Sequence, residues 1–141
     1  MTEPAEIIAF WRDSDLGLLA LVILLDQFPR NMFRGDPRAY ATDALACDVA
    51  RSALARGADR RLDPDLRPFV YMPFMHSENI DDQDLCVALF RASADASNLE
   101  YAEIHADIIR RFGRFPHRNA VLGRKTTPVE QAFLDGGGFS C

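Results

Sequence analysis

The sequence predicts an all-α protein: a tetratricopeptide-repeat-like bundle of antiparallel helix pairs, with about six to seven helices in one domain over residues 1–141. Apolar residues recur with helical spacing in nearly every segment. Glycines and prolines fall between these segments, where helices should end. No stretch alternates cleanly between apolar and polar residues, and the nearest rival, residues 69–74, contains a proline that argues against a central strand.

Two helices are predicted in the first quarter of the chain. Residues 3–11 form a short helix. The second begins at Ser14 or Asp15, either of which is a good N-cap residue, and runs to Gln27. It is apolar almost all round, so we expect it to be the central helix. Pro29 should end it, because the residue before a proline disfavours the α conformation.

The middle of the chain predicts two more helices. The third begins at Thr42 or Asp43 and stops at Gly57. The fourth begins at Asp63-Pro64, where an acceptor side chain precedes a proline at the first helical position. Because residues 63–75 carry two further prolines, we expect this helix to be kinked or split.

The last third of the chain predicts three helices. The fifth covers residues 82–94, and the sixth covers residues 99–112 with Gly113 as its stop. The last helix follows Thr127, and the spacing of Thr127 and Glu130 predicts a capping box.

Composition and charge exclude several functional classes. The net charge of −5 argues against a nucleic-acid partner. The longest apolar run, residues 16–25, is half the roughly 20 residues that a membrane span needs, so we expect no membrane partner. The three cysteines (Cys47, Cys86 and Cys141) are odd in number, and no two have the close spacing of a zinc site. This pattern favours a reducing cytoplasm over a disulfide framework.

A polar phrase occurs twice, as DQFPRN at residues 26–31 and as GRFPHRN at residues 113–119. Each copy follows an apolar helix and places an arginine and an asparagine after a proline. An arginine offers five donors in a fixed fork, so Arg30 and Arg118 can cap the freed carbonyls of a helix end or grip a carboxylate. This chemistry favours a structural clasp, by which we mean that the two phrases only tie helix ends to neighbouring segments. The alternative is a site in which the two guanidinium groups receive an anionic ligand beside histidines.

Nearby carboxylates and histidines leave the same two alternatives open. Asp26 and Glu78 are the expected partners of the two arginines. His76 and His117 stand next to these groups, and His105 faces inward from the sixth helix. Because the sequence has neither HExxH nor His-x-His spacing, we expect no metal site and no cofactor.

Several long phrases resemble, in order, the bacterial family called domain of unknown function 924. They are LALVILLDQFPRNMFRG, YATD, FVYMPFMHSEN and HADIIRRFGRFPHRNAVLGRKTTPVEQAFL, and the resemblance covers about residues 16–135. It implies an all-α fold similar to tetratricopeptide-repeat proteins, with no established activity, substrate or cofactor. The recurrent polar positions of the family, which carry no assigned roles, correspond here to Asp26, Gln27, Arg30, Asn31, His76, Ser77, Glu78, Gln83, Arg114, His117, Arg118 and Asn119.

The sequence departs from this family near its N-terminus. Family members carry some tens of residues between a Phe-Trp helix, here at Phe10-Trp11, and the DQFPRN helix, whereas these two segments almost adjoin here. At least one helix is therefore missing, and part of the central helix should be uncovered. We expect a second copy to cover it, giving a homodimer.

The predicted function follows from the implied concave groove, which commonly holds a protein or peptide partner. The sequence thus favours a protein- or peptide-binding scaffold module. The alternative is a protein or enzyme that binds a small anionic molecule or a metal, and enzymatic activity and catalytic residues are left open. The candidate ligand-binding residues are Asp26, Arg30, Asn31, His76, Glu78, Arg114, His117, Arg118 and Asn119.

Overall fold

The computed structural model describes residues 4–138, apart from the side chains of residues 4, 5, 7 and 8. All regular structure in this range is helical, which confirms the predicted class. There are more helical segments than predicted, because several are very short. They are α1 (Pro4–Trp11), α2 (Asp15–Val22), a π-helical turn (Ile23–Gln27), α3 (Phe28–Met32), a 3-10 turn (Pro37–Ala39), α4 (Asp43–Ala55), α5 (Ala58–Arg61), α6 (Arg67–Met75), α7 (Ile80–Ala92), α8 (Ala96–Phe112), a 3-10 turn (Pro116–Arg118), α9 (Asn119–Leu122) and α10 (Pro128–Asp135).

Helix ends follow the capping signals of the sequence. The Ser14 hydroxyl accepts the backbone N–H of the third residue of α2, and the Asn79 side chain accepts two N–H groups at the start of α7. Thr127 and Glu130 form the predicted capping box. Gly113 ends α8 in the left-handed conformation, with φ of 72°, that glycine adopts without steric cost.

The main core lies where α2, α4, α6 and α7 pack together. Helix α6 contacts all three of the other helices and also α8, so it lies at the centre of this packing. The largest core side chains with almost no exposure are Leu18, Leu21, Val22, Val49, Val70, Phe74 and Phe90. A smaller cluster around Ile108, Ile109 and Phe115 joins α8 to α10. Cys47 and Cys86 are buried free thiols, and Cys141 lies outside the described residues.

The prediction that Pro29 ends the central helix is wrong. The chain remains helical through Phe28, with φ of −62° and ψ of −44°, and continues to Met32 after a π-helical turn. Pro29 has no N–H to give to the carbonyl of Leu25 four residues earlier. The hydroxyl of Thr42, from the loop before α4, donates to that carbonyl at 2.7 Å. A group distant in sequence thus satisfies the acceptor that the proline frees, and the helix continues.

The fourth predicted helix also differs from the expectation. It begins at Arg67 rather than at Asp63-Pro64, and the Asp63 carboxylate instead accepts the backbone N–H of Asp65 within a turn. Pro73 lies inside α6, which remains a single helix to Met75. The preceding turn therefore sets the start of α6.

The central helix is not covered on every side. Leu16, Leu24, Phe28 and Met32, which we call the exposed row, lie between 46% and 69% exposed. They recur every four or eight residues along α2, the π-helical turn and α3. These side chains form an apolar surface on the central helix, and the expectation that a covering segment is missing there stays a prediction. No helix within residues 4–138 is long and apolar enough to cross a membrane.

Candidate functional site

A cavity of about 550 Å³ lies where α3, the C-terminal end of α6 and the 3-10 turn Pro116–Arg118 meet. A second cavity of about 460 Å³ adjoins it, and the two share Tyr40, His76 and Arg118. A larger and more open depression of about 670 Å³ between α8 and α10 contains no candidate residue. The two adjoining cavities are therefore the relevant place for a site.

Asp26 lies fully buried beneath the first cavity. Its Oδ1 accepts from Nδ1 of His76 at 2.8 Å and from Nη1 of Arg30 at 3.2 Å, and its Oδ2 accepts from the Gln27 amide at 2.9 Å. Burial raises the pKa of Asp26, but His76, Arg30 and Gln27 outweigh it and hold that pKa below its usual value. Asp26 is therefore an ionised carboxylate that fixes the side chains around it.

Arg30 joins the first copy of the doubled phrase to α4. Its guanidinium group forms a fork with both carboxylate oxygens of Asp43, at 2.8 and 2.9 Å. It also donates to the backbone carbonyl of Asp26 at 3.0 Å. This bidentate geometry is the strong form of the arginine–carboxylate pair. Of the two carboxylates expected for the arginines, Arg30 contacts Asp26, and the structure adds Asp43 as its second partner.

Arg118 joins the second copy to the end of α6. Its Nη2 donates to the backbone carbonyl of His76 at 2.8 Å, while its Nη1 is 3.7 Å from the Asp43 carboxylate. The guanidinium carbon lies 4.4 Å from the centre of the Tyr40 ring and 4.7 Å from that of Phe115. Its Nε is buried and has no hydrogen-bond partner among the described residues. Arg118 is thus held by stacking and one strong hydrogen bond, with donor capacity left over.

Glu78 pairs with an arginine that the sequence analysis did not consider. Both of its oxygens accept from Arg124, at 2.8 and 3.0 Å, and one accepts the backbone N–H of Phe115. Burial raises the pKa of Glu78, but these partners outweigh it and lower that pKa. The buried amide of Asn119 accepts from Arg124 at 3.0 Å. Glu78 therefore holds the second copy of the phrase in place through Arg124 and the Phe115 backbone. Of the two cavities, it lines only the second.

The remaining candidates fall into two groups. Asn31 and His117 line the first cavity. Burial, followed by the charge of Arg118, lowers the pKa of His117 to about 4, so that its ring is neutral at physiological pH. Arg114 instead forms a fork with Glu130 at 2.8 Å, which ties the end of α8 to α10 outside both cavities.

Sequence reasoning missed several residues that shape the site. Arg34, Tyr40, Phe69 and Met72 line the first cavity, and Asp43 holds Arg30. The only sequence signal for most of them was their position in the loop after DQFPRN or in the proline-rich segment. Gln83 was noted only through the family resemblance. Its buried amide donates to two carbonyls at the end of α6, those of Met75 and Ser77, at 2.7 Å each.

The first cavity has an unusual charge pattern for an acidic protein. Arg30, Arg34 and Arg118 line it together with two histidines, and no carboxylate is among its lining residues. Asp26 and Asp43 lie behind these arginine and histidine side chains and are not among the lining residues. Within residues 4–138 no group of three or more histidine, cysteine, aspartate or glutamate side chains is placed to hold a metal ion. The arrangement therefore presents donors to whatever enters the cavity.

Comparison with known proteins gives a family without an assigned activity. A model of the bacterial proteins of unknown function called DUF924 matches residues 2–138. A solved structure of a protein of unknown function from Agrobacterium tumefaciens is similar to the chain, with 47% sequence identity and a TM-score of 0.88. That match covers 92% of this chain and 73% of the other. No curated protein matches the chain.

Proposed function

The chain belongs to the bacterial DUF924 family, and we propose that it binds a small anionic molecule in the 550 Å³ cavity. The observation that carries the proposal is the lining of this cavity: three arginines and two histidines without a carboxylate, in a chain of net charge −5. Clefts lined by one sign of charge concentrate ligands of the opposite sign. This is the second of the two functions that the sequence left open.

Arg34 and Arg118 supply the positive charge that remains available in the cavity. Arg30 is already balanced by its fork with Asp43 and by its contact with Asp26. Arg34 is exposed at the cavity and makes no hydrogen bond or ion pair with any described residue. An exposed guanidinium of this kind adds little to the stability of the fold but is placed to meet an anion.

The size and lining of the cavity indicate the kind of ligand. Its volume lies within the roughly 300–1,000 Å³ range of small-molecule sites. Phe69 and Met72 supply an apolar wall, while Gln27 and Asn31 add polar groups. Such a combination suits a metabolite that carries an anionic group on a partly apolar body.

Calorimetry and thermal unfolding with a panel of phosphate and carboxylate metabolites would test this proposal. A ligand at 100 times its Kd should stabilise the protein by about 2.7 kcal/mol. Arg34→Gln should abolish the shift without lowering the Tm of the free protein. Arg91→Gln is a control, because Arg91 is also exposed but lies outside the cavity, where it pairs with Glu103. If no anion binds, or if Arg34→Gln binds as the wild type does, the proposal is wrong.

The exposed row favours a second candidate function, an interaction module whose partner is a second copy of this chain. Four large apolar side chains on one helical surface are a common mark of a protein interface. The related protein of known structure is longer than this chain, and a tetratricopeptide-like scaffold would use such surfaces for partners. This function does not compete with the cavity for residues, because no member of the exposed row lines it.

We place the protein in the cytoplasm. Cys47 and Cys86 are buried free thiols, and burial raises the pKa of each to about 12, so both are unreactive side chains of the core. Buried cysteines without a disulfide are typical of a reducing compartment.

A further inference from the structure

The depression of about 670 Å³ between α8 and α10 has an apolar floor. Ile104 of α8 is 37% exposed there, and Phe133 of α10 is partly buried and lines the same depression. The Phe133 ring packs against that of Phe112, with ring centres 5.1 Å apart, and both rings pack against the smaller core cluster. The floor is therefore the outer surface of a packed cluster, which holds its shape.

Three carboxylates lie along the α8 side of this depression. Glu100, Glu103 and Asp107 recur at intervals of three and four residues, which places them on one side of the helix, and all three are exposed. Glu103 pairs with Arg91, and Asp107 lies 3.8 Å from Arg111, but pairs as exposed as these contribute little. Glu100 forms no hydrogen bond or ion pair with any described residue. Three carboxylates and one guanidinium group among the described lining residues give a formal charge of −2, so we call this depression the acidic groove.

The remaining wall of the acidic groove is the end of α10, which adds no side chain. Residues 136–138 are glycines, and Gly138 donates its backbone N–H to the carbonyl of Phe133 at 2.9 Å. A Cβ atom at Gly138 would lie 2.6 Å from the Phe133 ring, so only glycine permits this close approach. The C-terminal end of a helix also carries a partial negative charge, which adds to that of the carboxylates. The wall therefore stays low and favours a cation.

These features together indicate the kind of partner. A small molecule usually buries most of its surface in a closed pocket, whereas an open groove suits side chains that project from another protein. The negative charge argues against a nucleic acid. A second copy that used the same surface would bring identical carboxylates together across a two-fold axis, which their repulsion opposes. An amphipathic helix with basic residues beside its apolar side matches both the floor and the carboxylates.

We propose that the acidic groove binds a basic amphipathic helix of a partner protein. The apolar side of that helix packs on Ile104 and Phe133, and its basic side chains pair with Glu100 and Asp107. The part of α8 that lines the groove covers residues 100–111, a length of about 17 Å, so the partner helix needs about three turns. This interaction is independent of anion binding, because no described residue lines both the acidic groove and the 550 Å³ cavity.

Fluorescence anisotropy with synthetic peptides tests this proposal. The probe is a labelled helix of about 14 leucine and lysine residues with the leucines on one side. One comparison peptide has glutamate in place of every lysine, and another keeps the composition but scatters the leucines around the helix. The probe should bind with a Kd on the order of 10 μM, and each comparison peptide should bind about tenfold more weakly or worse.

Variants of the chain separate the groove from general attraction to an acidic protein. Glu100→Lys combined with Asp107→Lys should weaken binding of the probe about tenfold or more, and Ile104→Ser should weaken it by removing part of the floor. Asp13→Lys combined with Asp65→Lys is the matched control, because both carboxylates are exposed, lie outside the groove and give the same change in net charge. The control should stay within about twofold of the wild type. Thermal unfolding checks that each variant is folded.

Backbone ¹H–¹⁵N spectra locate the bound probe. Binding should shift the signals of residues 100–111 and 132–138 and leave those of residues 30–40 in place. Deletion of residues 139–141 should not change the affinity, and a large gain would instead assign the groove to the chain's own C-terminal segment.

Several results would overturn the proposal. They are no binding of the probe at about 100 μM, equal binding of the glutamate peptide, and equal weakening by the control variant. Loss of binding in Met32→Glu, with binding kept in the groove variants, would move the peptide to the exposed row and refute the assignment to the acidic groove.

Discussion

Replacing Arg118 with alanine should lower the free energy of unfolding by about 3 kcal/mol. The hydrogen bond from Nη2 to the His76 carbonyl, at 2.8 Å, involves a charged donor and contributes about 1.5–3 kcal/mol. The contacts with the rings of Tyr40 and Phe115 each add about 0.5–1 kcal/mol. One effect opposes these. Burial, followed by the charge of Arg30, lowers the pKa of Arg118, so the cation is held at some cost.

Thermal and urea unfolding of three variants would separate these contributions. For a chain of this length, about 3 kcal/mol corresponds to a Tm lowered by roughly 10 °C. Arg118→Met keeps an apolar stem between the two rings and loses the donors, so it should lose most of the same stability. Arg34→Ala should stay within about 0.5 kcal/mol of the wild type. An Arg118→Ala variant as stable as the wild type would refute the view that Arg118 clasps α6.

Three further predictions concern other parts of the molecule. Thr42→Val should cost about 1–2 kcal/mol in urea unfolding, because it strands the Leu25 carbonyl beside Pro29; unchanged stability would contradict this. Burial lowers the pKa of His105 from 6.5 to about 4, so the unfolded state takes up its proton first and stability should fall as pH decreases from 6.5 to 4. His105→Leu should flatten that slope in unfolding curves measured across this pH range. Sedimentation equilibrium at tens of micromolar should give a dimer that Met32→Glu dissociates, whereas a wild-type monomer would refute the dimer.

The helix boundaries that the sequence predicts well depend on local chemistry. Ser14 and Thr127 cap the helices that follow them, because a cap needs only an acceptor and the next few N–H groups. Gly113 ends α8 for an equally local reason. Pro29 was misjudged because its effect depends on Thr42, which is 13 residues away and lies beside it only in the folded chain.

The difference between local and long-range effects also explains which features of the site the sequence could predict. The doubled phrase correctly indicated that Arg30 and Arg118 would have structural partners. It could not indicate that Asp43 rather than a second nearby carboxylate would complete the fork of Arg30, or that Arg124 would take Glu78. Partner choice depends on which elements pack side by side, and that depends on the apolar surfaces of α2, α4 and α6 rather than on the polar phrase.

The clasp and the proposed ligand site share one arrangement of residues. Asp26, which is fully buried, and Glu78, which is partly buried, have their acceptor oxygens satisfied within the chain. Nε of Arg118 and Nδ1 of His117 are buried nitrogens without a hydrogen-bond partner among the described residues, and both residues line the cavity. A purely structural clasp gains nothing from such open positions, because each unsatisfied polar group lowers stability. Local violations of this kind are expected at functional sites. The satisfied carboxylates therefore hold the cavity in shape, and the unpaired nitrogens beside it support the proposal that this cavity binds a ligand.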